Sequence, residues 1–261
     1  MRIAHLSDIH FGTENHEAVA AAADWLHAAS PDLTVISGDL TAFGALPEFD
    51  AAAAWIATLP GPRLVIPGNH DTPYLGIWKR LTDPFERFAV RFGPPDQVTL
   101  DVAGARVAGV NTSRGAQVRL NWSKGAIGDD QVRAAIASLK SAPPKALRVL
   151  ACHHPLSEMI GGPMTARVRG GERAARAFCG GQVDIILTGH IHAPFAMALP
   201  HEDGRTYAIG AGTLSIRERA APPGFNVLQV DEGQVGVTAL AWTGSGLEPW
   251  REWTLQRRGA G

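Results

Sequence analysis

The N-terminal stretch that decides the fold, residues 1–40, reads MRIAHLSDIHFGTENHEAVAAAADWLHAASPDLTVISGDL. The apolar run at residues 3–6 is typical of a buried strand, and residues 14–29 form an Ala-rich segment with helical period that ends at Ser30-Pro31. A second apolar run follows at residues 33–36. Strand, helix and strand in this order predict a βαβ unit whose parallel strands are buried on both faces.

The same alternation continues along the chain, so we expect an α/β fold. The predicted helices are residues 47–59, 129–139 and 172–178, and the predicted strands are 63–66, 98–102, 106–110, 147–152 and 183–187. From Phe195 onward the pattern is mostly β, in short runs broken by Gly, Asp and Pro. Because no linker or repeat separates the halves, we expect one domain over residues 1–261.

Polar side chains follow five of the predicted strands, at the point where each strand ends. The five blocks are Ser7-Asp8-Ile9-His10, Gly38-Asp39, Gly68-Asn69-His70-Asp71, His153-His154-Pro155 and Gly189-His190-Ile191-His192. Catalytic groups of open α/β sheets gather just beyond the carboxyl ends of the strands. Since these blocks hold six of the ten His of the chain, they predict a common site.

The spacing within two blocks predicts which side chains share a target. In extended chain, residues two apart point the same way, so Asp8 can join His10, and His190 can join His192. The intervening isoleucines would then point into the core. Carboxylate and imidazole groups without a thiolate suit Mn, Fe, Co, Ni or Zn rather than an all-oxygen calcium site.

The ordered blocks resemble the signature of the calcineurin-like metallophosphoesterases, DxH, GD, GNH(D/E), H and GHxH. They extend from Asp8 to His192, about 70% of the chain. The GNHD, HHP and GHIH motifs are most similar to those of the branch of cyclic-nucleotide and glycerophosphodiester phosphodiesterases. The resemblance implies a four-layer sandwich of two mixed β-sheets flanked by helices, with a dinuclear metal site at the C-terminal ends of the strands.

The resemblance also implies two divalent or trivalent transition-metal ions, drawn from Mn, Fe, Zn, Co and Ni. It assigns Asp8, His10, His192 and Asp39 to the first ion, and Asp39, Asn69, His153 and His190 to the second. Asp39 is shared because one carboxylate can bridge two cations. His153 is chosen over His154 because the family block reads H-x-P, which leaves His154 to outer contacts or packing.

The activity implied is hydrolysis of a phosphodiester by a hydroxide that bridges the metals, with a cyclic nucleotide or another small organic diester as substrate. His70 would stabilise or protonate the departing oxygen, and Asp71 would hold the His70 ring in one tautomer. Asp71 could instead cap the next segment. The ligand set equally supports a phosphomonoesterase or a protein phosphatase. A nuclease and a non-catalytic scaffold are weaker alternatives.

Composition restricts the partners. The chain of 261 residues carries 24 Lys and Arg against 25 Asp and Glu, a formal net charge of −1, which gives no basic footprint for long nucleic acid or an anionic membrane. Its two Cys cannot build a disulfide framework, and no apolar signal segment follows Met1. We therefore expect a cytoplasmic protein that binds a small phosphorylated substrate and no membrane.

Several other residues receive weaker predictions. Arg114, Arg167 and Arg169 could contact the substrate. His5, Trp25 and Trp55 are expected in the core, and His16, His27 and His201 on the surface. The β-rich tail holds Trp242, Trp250 and Trp253, which could bury against a second subunit in a homodimer or close the tail's own sheet.

Overall fold

A computed structural model describes residues 1–118, 121–158 and 168–258, and its strands form two six-stranded sheets. The strands are β1 Arg2–Leu6, β2 Leu33–Ser37, β3 Arg63–Ile66, β4 Val98–Val102, β5 Ala105–Gly109, β6 Leu147–Ala151, β7 Ile185–Thr188, β8 Phe195–Ala198, β9 Tyr207–Gly210, β10 Gly224–Val230, β11 Gln234–Trp242 and β12 Leu247–Gln256. The helices are α1 His16–Ala29, α2 Leu46–Thr58, α3 Ile77–Thr82, α4 Glu86–Phe92, α5 Asp129–Lys140 and α6 Gly171–Gly180.

Both sheets are mixed. The first has the order β12-β11-β10-β1-β2-β3, in which β1, β2 and β3 are parallel and β10 to β12 continue the sheet in antiparallel fashion. The second has the order β4-β5-β6-β7-β9-β8, with β5, β6, β7 and β9 parallel. The parallel strands of each sheet therefore end at one edge, which is the edge where the polar blocks lie.

The two sheets pack face to face, and helices cover their outer faces. Side chains from both sheets, such as Val35 of β2 and Val149 of β6, form the core between them. Helices α1 and α2 pack on the outer face of the first sheet, while α5 and α6 pack on the second. Burial of apolar area on these three surfaces is the main stabilising contribution. The four-layer α/β sandwich expected from the sequence is confirmed.

Local capping explains where the elements differ from the prediction. Helix α1 begins at His16 rather than at residue 14, because the side chain of Asn15 accepts a hydrogen bond from the Ala18 amide at 3.1 Å and so caps the helix. The short helices α3 and α4 were not predicted. Each has no more than one fully buried residue, so neither carries the apolar period that identifies a helix in sequence.

The C-terminal tail closes its own sheet, which was one of the two expectations for it. Trp253 packs against the core between the sheets and Trp242 against the core under α1, whereas Trp250 is exposed. Trp25 and Trp55 are partly buried against that second core. In the part of the chain that the structure describes, no helix is both long and apolar enough to cross a membrane.

Candidate metal centre

Seven buried side chains follow five strand ends, and the six Asp and His side chains among them meet in one cluster. The seven are Asp8 and His10 after β1, Asp39 after β2, Asn69 after β3, His153 after β6, and His190 and His192 after β7. These are the residues that the sequence analysis proposed as ligands. The predicted convergence of distant blocks is therefore present in the fold.

One half of the cluster contains Asp8, His10 and His192, and we call it the first half. His192 Nε2 lies 3.1 Å from Asp8 Oδ1 and 3.2 Å from His10 Nε2. His10 Nε2 is also 3.8 Å from Asp8 Oδ1. Their ligand-type atoms all lie within 4.8 Å of one another, close enough for a single cation to contact all three.

The second half contains Asn69, His153 and His190, and Asp39 lies between the halves. Asp39 Oδ2 is 3.3 Å from His153 Nε2 and 3.8 Å from His10 Nε2, so one carboxylate oxygen faces a histidine of each half. The rings of His153 and His190 are 5.2 Å apart. Asp39 therefore occupies the position that a bridging carboxylate needs.

The backbone turns sharply at these strand ends. Asp8, His10, Asp39, His190 and His192 all have φ between 52° and 70°, in the left-handed region that non-glycine residues seldom adopt. Such strained residues cluster at functional sites. Asp8 and His10 do lie in the same cluster, but the backbone between them is not the extended chain that was predicted, because both residues adopt the left-handed conformation.

One glycine lets these turns meet. A Cβ on Gly189 would overlap Ser7 Oγ and Asp8 Oδ2, so any other residue would separate β7 from β1 at this end. In the structure the His190 amide instead donates to Asp8 Oδ2 at 2.9 Å. The close backbone approach expected for this glycine is what the structure has there.

Backbone carbonyls orient three of the imidazoles. His10 Nδ1 lies 3.2 Å from the Thr41 carbonyl, His153 Nδ1 lies 2.8 Å from that of Ser37, and His192 Nδ1 lies 2.7 Å from that of Arg217. Since a carbonyl only accepts, each Nδ1 carries a hydrogen, which leaves each Nε2 as the ring atom available to a metal ion. This is the arrangement by which proteins fix metal-binding histidines.

Burial and charge adjust the protonation of the cluster. Burial lowers the pKa of His10 and of His190 to about 3, so both rings are neutral near pH 7. Burial would raise the pKa of Asp39, but the neighbouring His153 and His70 hold it well below its ordinary value. Burial opposes protonation of His153, yet the Asp39 carboxylate raises its pKa to about 9. A positive charge is therefore favoured between His153 and Asp39.

The cluster fits metal ions because buried ligand atoms converge there and several of them have no partner. His10 Nε2 and His192 Nε2 lie 3.2 Å apart. Four buried atoms that could be ligands, Asp8 Oδ1, Asn69 Oδ1, His153 Nε2 and His190 Nε2, have no hydrogen-bond partner in the described ranges. Unpaired buried acceptors are costly, and a bound cation would satisfy them.

His70 lies beside the cluster, with its ring 4.8 Å from that of His10. Its Nδ1 donates to the Ala42 carbonyl at 2.7 Å, and its amide donates to Asp39 Oδ1 at 2.8 Å. The prediction that Asp71 orients the ring is wrong. Ala42 orients it, because the Asp71 carboxylate is occupied elsewhere.

Asp71 joins the loops that follow β2 and β3. Its oxygens accept from the amides of Gly68, Leu40 and Thr41, and from the Thr41 hydroxyl, at 2.8 to 3.2 Å. Burial and the charge of Asp39 raise the pKa of Asp71 to about 7 against these donors. The carboxylate caps the loops, which was the alternative left open for it.

His154 and His5 make contacts outside the ligand cluster. His154 Nδ1 lies 2.9 Å from the Thr112 hydroxyl and its Nε2 2.8 Å from the Ser123 carbonyl, so both ring nitrogens are engaged. His5 is buried in β1, with Nε2 2.9 Å from Ser37 Oγ. His16 is exposed as expected, but the surface prediction for His201 is wrong, since its side chain is only 14% exposed.

The arginines that the sequence analysis proposed as substrate contacts are engaged elsewhere or lie outside the described residues. Arg114 directs its guanidinium to the carbonyls of Asn111 and Ser113 and to Gln131 Oε1, away from the cluster. The backbone of Arg169 pairs with the segment at residues 125–127. Arg167 lies outside the described residues.

Sequence reasoning missed two arginines that follow β9. Arg217 Nη1 lies 3.2 Å from His70 Nε2, and Arg219 Nη1 donates to the His190 carbonyl at 3.3 Å. No motif marks them, and only their position after the strand that ends at Gly210 could have indicated them.

A cleft of about 360 Å³ opens at the same edge. It is lined by Asn69, His70, Thr72, Tyr74, Arg80, Trp122 and Ser123.

Comparison with known proteins identifies the family. The model of the calcineurin-like phosphoesterases matches residues 1–194, which include every residue of the cluster. The chain belongs to this family. The resemblance seen in the sequence is thereby confirmed. Calcineurin-like phosphoesterases are hydrolases that use divalent metal ions, and the cluster offers several groups that could hold them.

Two curated relatives carry the names of one branch of the family. A glycerophosphodiester phosphodiesterase GpdQ of Enterobacter lignolyticus is 28% identical over 79% of this chain and 82% of its own length. A probable cyclic nucleotide phosphodiesterase of Synechococcus is 25% identical over 93% of this chain and 92% of its own.

A solved structure supports the fold alone. The purple acid phosphatase PPD1 of yellow lupin superposes with a TM-score of 0.69 at 14% identity, over 98% of this chain. The chain spans about half of the lupin protein, 54% of its length.

Proposed function

We propose that this chain hydrolyses a phosphodiester bond with two transition-metal ions held in the cluster, and that its substrate is a small organic diester such as a cyclic nucleotide. The observation that carries the proposal is the convergence of buried ligand atoms. His10 Nε2 lies 3.2 Å from His192 Nε2, and His153 Nε2 lies 3.3 Å from Asp39 Oδ2. Metal ions bound there would satisfy these buried atoms.

The ligands follow from the two halves. The first ion would be held by Asp8, His10, His192 and Asp39, and the second by Asp39, Asn69, His153 and His190. His154 is left out of the set because both of its ring nitrogens already have partners.

The chain's own residues would divide the remaining work. When bound, the ions would neutralise phosphoryl oxygens and make a nucleophilic water available near neutral pH. His70, whose Nδ1 donates to the Ala42 carbonyl, would act on the leaving-group side and stabilise or protonate the departing oxygen. Its Nε2 accepts from Arg217 Nη1 in the structure, so this role requires Nε2 to exchange that contact for a proton. The cleft beside Asn69 and His70 offers room for the organic part of the ester.

The names of the two curated relatives support a diester over a monoester. The test is a panel assay of Mn²⁺-reconstituted protein, with metal content measured by atomic absorption. Bis(p-nitrophenyl) phosphate and p-nitrophenyl phosphate compare diester with monoester, and cyclic nucleotides and glycerophosphodiesters search for the substrate class. We expect two metals per chain and a diester kcat/KM above that of the monoester.

Other outcomes would select the alternatives. Preference for the monoester would indicate a phosphomonoesterase or a protein phosphatase. Less than two metals per chain and no turnover on any ester would indicate a non-catalytic scaffold.

Three sequence predictions stay proposals with their own checks. They are a single domain over residues 1–261, a cytoplasmic location and a homodimer. Limited proteolysis, cell fractionation and light scattering measure them respectively.

A further inference from the structure

The side chain of Arg217 is exposed, but the carbonyl and the amide of its backbone both form hydrogen bonds that lead to the ligand cluster. Its carbonyl accepts from His192 Nδ1 at 2.7 Å, and its amide donates to Ser215 Oγ at 3.1 Å. The backbone of Arg217 is therefore held next to the first half of the cluster, although the side chain lies at the surface.

The amide contact continues as a chain of hydrogen bonds to Asp8. The Thr213 hydroxyl donates to the Asp8 carbonyl at 2.6 Å and lies 2.8 Å from Ser215 Oγ. Because the one hydroxyl hydrogen of Thr213 is used on Asp8, Ser215 must donate to Thr213 and accept from Arg217. The segment at residues 213–217 is therefore positioned by the same residue that begins the cluster.

The guanidinium extends from this backbone to His70. Arg217 Nη1 lies 3.2 Å from His70 Nε2, and since a guanidinium only donates, the imidazole accepts. Within the described ranges, this is the one hydrogen bond of the Arg217 side chain. Nε and Nη2 are left to form the planar fork that pairs with phosphate oxygens.

We propose that Arg217 binds a non-bridging phosphoryl oxygen of the substrate, and that His70 Nε2 positions the guanidinium for this contact. The inference rests on the proposed function, because it names a further binding residue for that reaction. It places an exposed cation next to His70 and the first half of the cluster. A substrate phosphodiester, as an anion, would be held between the guanidinium and the metal ions.

The test measures binding of inorganic phosphate to Mn²⁺-loaded protein by calorimetry, together with KM and kcat on bis(p-nitrophenyl) phosphate. The variants are Arg217→Ala, which removes the guanidinium, and Arg217→Lys, which keeps the charge but loses the fork. Arg251→Ala on the edge strand β12 is the control, since it removes one positive charge three strands away from β1. Metal content is measured on every variant.

We expect Arg217→Ala to weaken phosphate binding about 10- to 100-fold and raise KM in parallel, with two metals retained. Arg217→Lys should recover part of the loss and Arg251→Ala should match the wild type. In His70→Ala, further removal of Arg217 should cost less than it does alone.

Phosphate binding within twofold of the wild type in Arg217→Ala would overturn the inference, as would loss of metal from that variant. If the wild type hydrolyses no ester, the proposed function fails, but phosphate calorimetry still decides the role of Arg217 without turnover.

Discussion

The two halves of the cluster differ in charge and in support. The first half has a carboxylate of its own, Asp8, and the backbone carbonyls of Thr41 and Arg217 fix both of its imidazoles. The second half, as defined above, has the neutral amide of Asn69 and shares the Asp39 carboxylate with the first.

In the second half the Ser37 carbonyl fixes the His153 ring, whereas the His190 ring packs against another imidazole. The His190 ring packs 4.5 Å from His154, and a cleft opens beside Asn69. A cation in the first half is therefore attracted by more charge and faces less water. We infer that the proposed ion of the first half binds more tightly and that the second exchanges more readily.

The largest effect is expected where both halves are broken at once. Asp39→Asn removes a carboxylate oxygen that faces a histidine of each half, so it should lower metal content below one per chain and activity by roughly 10³-fold or more. Atomic absorption and kcat/KM on bis(p-nitrophenyl) phosphate measure both. Asp24→Asn on the exposed face of α1 is the matched control. Two retained metals in Asp39→Asn would refute the bridging role.

His70→Ala should separate chemistry from metal binding. Its ring contacts His10 but is directed to Ala42 and Arg217, so its loss should leave both halves loaded. We expect kcat to fall roughly 100-fold, within the range for a lost general acid. The exposed His16→Ala is the control. Release of metal from His70→Ala would instead make His70 part of the cluster's scaffold.

The parts of the site that sequence predicted are those encoded by local pattern. The blocks around Asp8, Asp39 and His190 follow buried strands, and parallel strands bring their ends to one edge, so convergence could be foreseen. The order of the motifs along the chain, however, does not specify the backbone dihedral angles at these residues. The left-handed φ at Asp8 and His10 accompanies hydrogen bonds from their amides to the carbonyls of Gly38 and Asp39, which are contacts between distant loops that the local pattern does not specify.

Side-chain partners were less predictable than positions. Asp71 was assigned to the His70 ring because it is the adjacent carboxylate, but three amides and a hydroxyl of neighbouring loops compete for it. Arg217 comes near His70 although the two are 147 positions apart in the chain, and only the tertiary fold brings them together. Contacts of this range depend on loop geometry, which periodicity does not encode.

Asp71→Asn tests the loop that carries Asn69 into the second half. An amide nitrogen cannot accept, so at least one buried backbone N–H would lose its partner, which costs about 2 kcal/mol of unfolding free energy. For a chain of this length that lowers the thermal midpoint by about 4–8 °C. Calorimetry measures the shift, and kcat per loaded molecule at pH 8 should stay within a few fold. A large drop in kcat at unchanged stability would restore the orienting role to Asp71.

Asn69→Asp should reduce the difference between the halves most directly, by giving the second half a carboxylate of its own. Asn69 Oδ1 has no partner among the described residues and only 6% of the residue is exposed, so a charge there acts in a low-dielectric setting. Part of the Coulombic gain is offset by the cost of burying the carboxylate, which leaves about tenfold tighter binding of the second ion.

Titration of metal-free protein with Mn²⁺ should show two separated binding steps in the wild type and a smaller separation in Asn69→Asp. Asn121→Asp, in the exposed loop beyond Thr112, adds the same charge outside the cluster and should leave the titration unchanged. Equal affinities already in the wild type would mean that carbonyl support and local charge do not distinguish the halves, and that the shared Asp39 governs both.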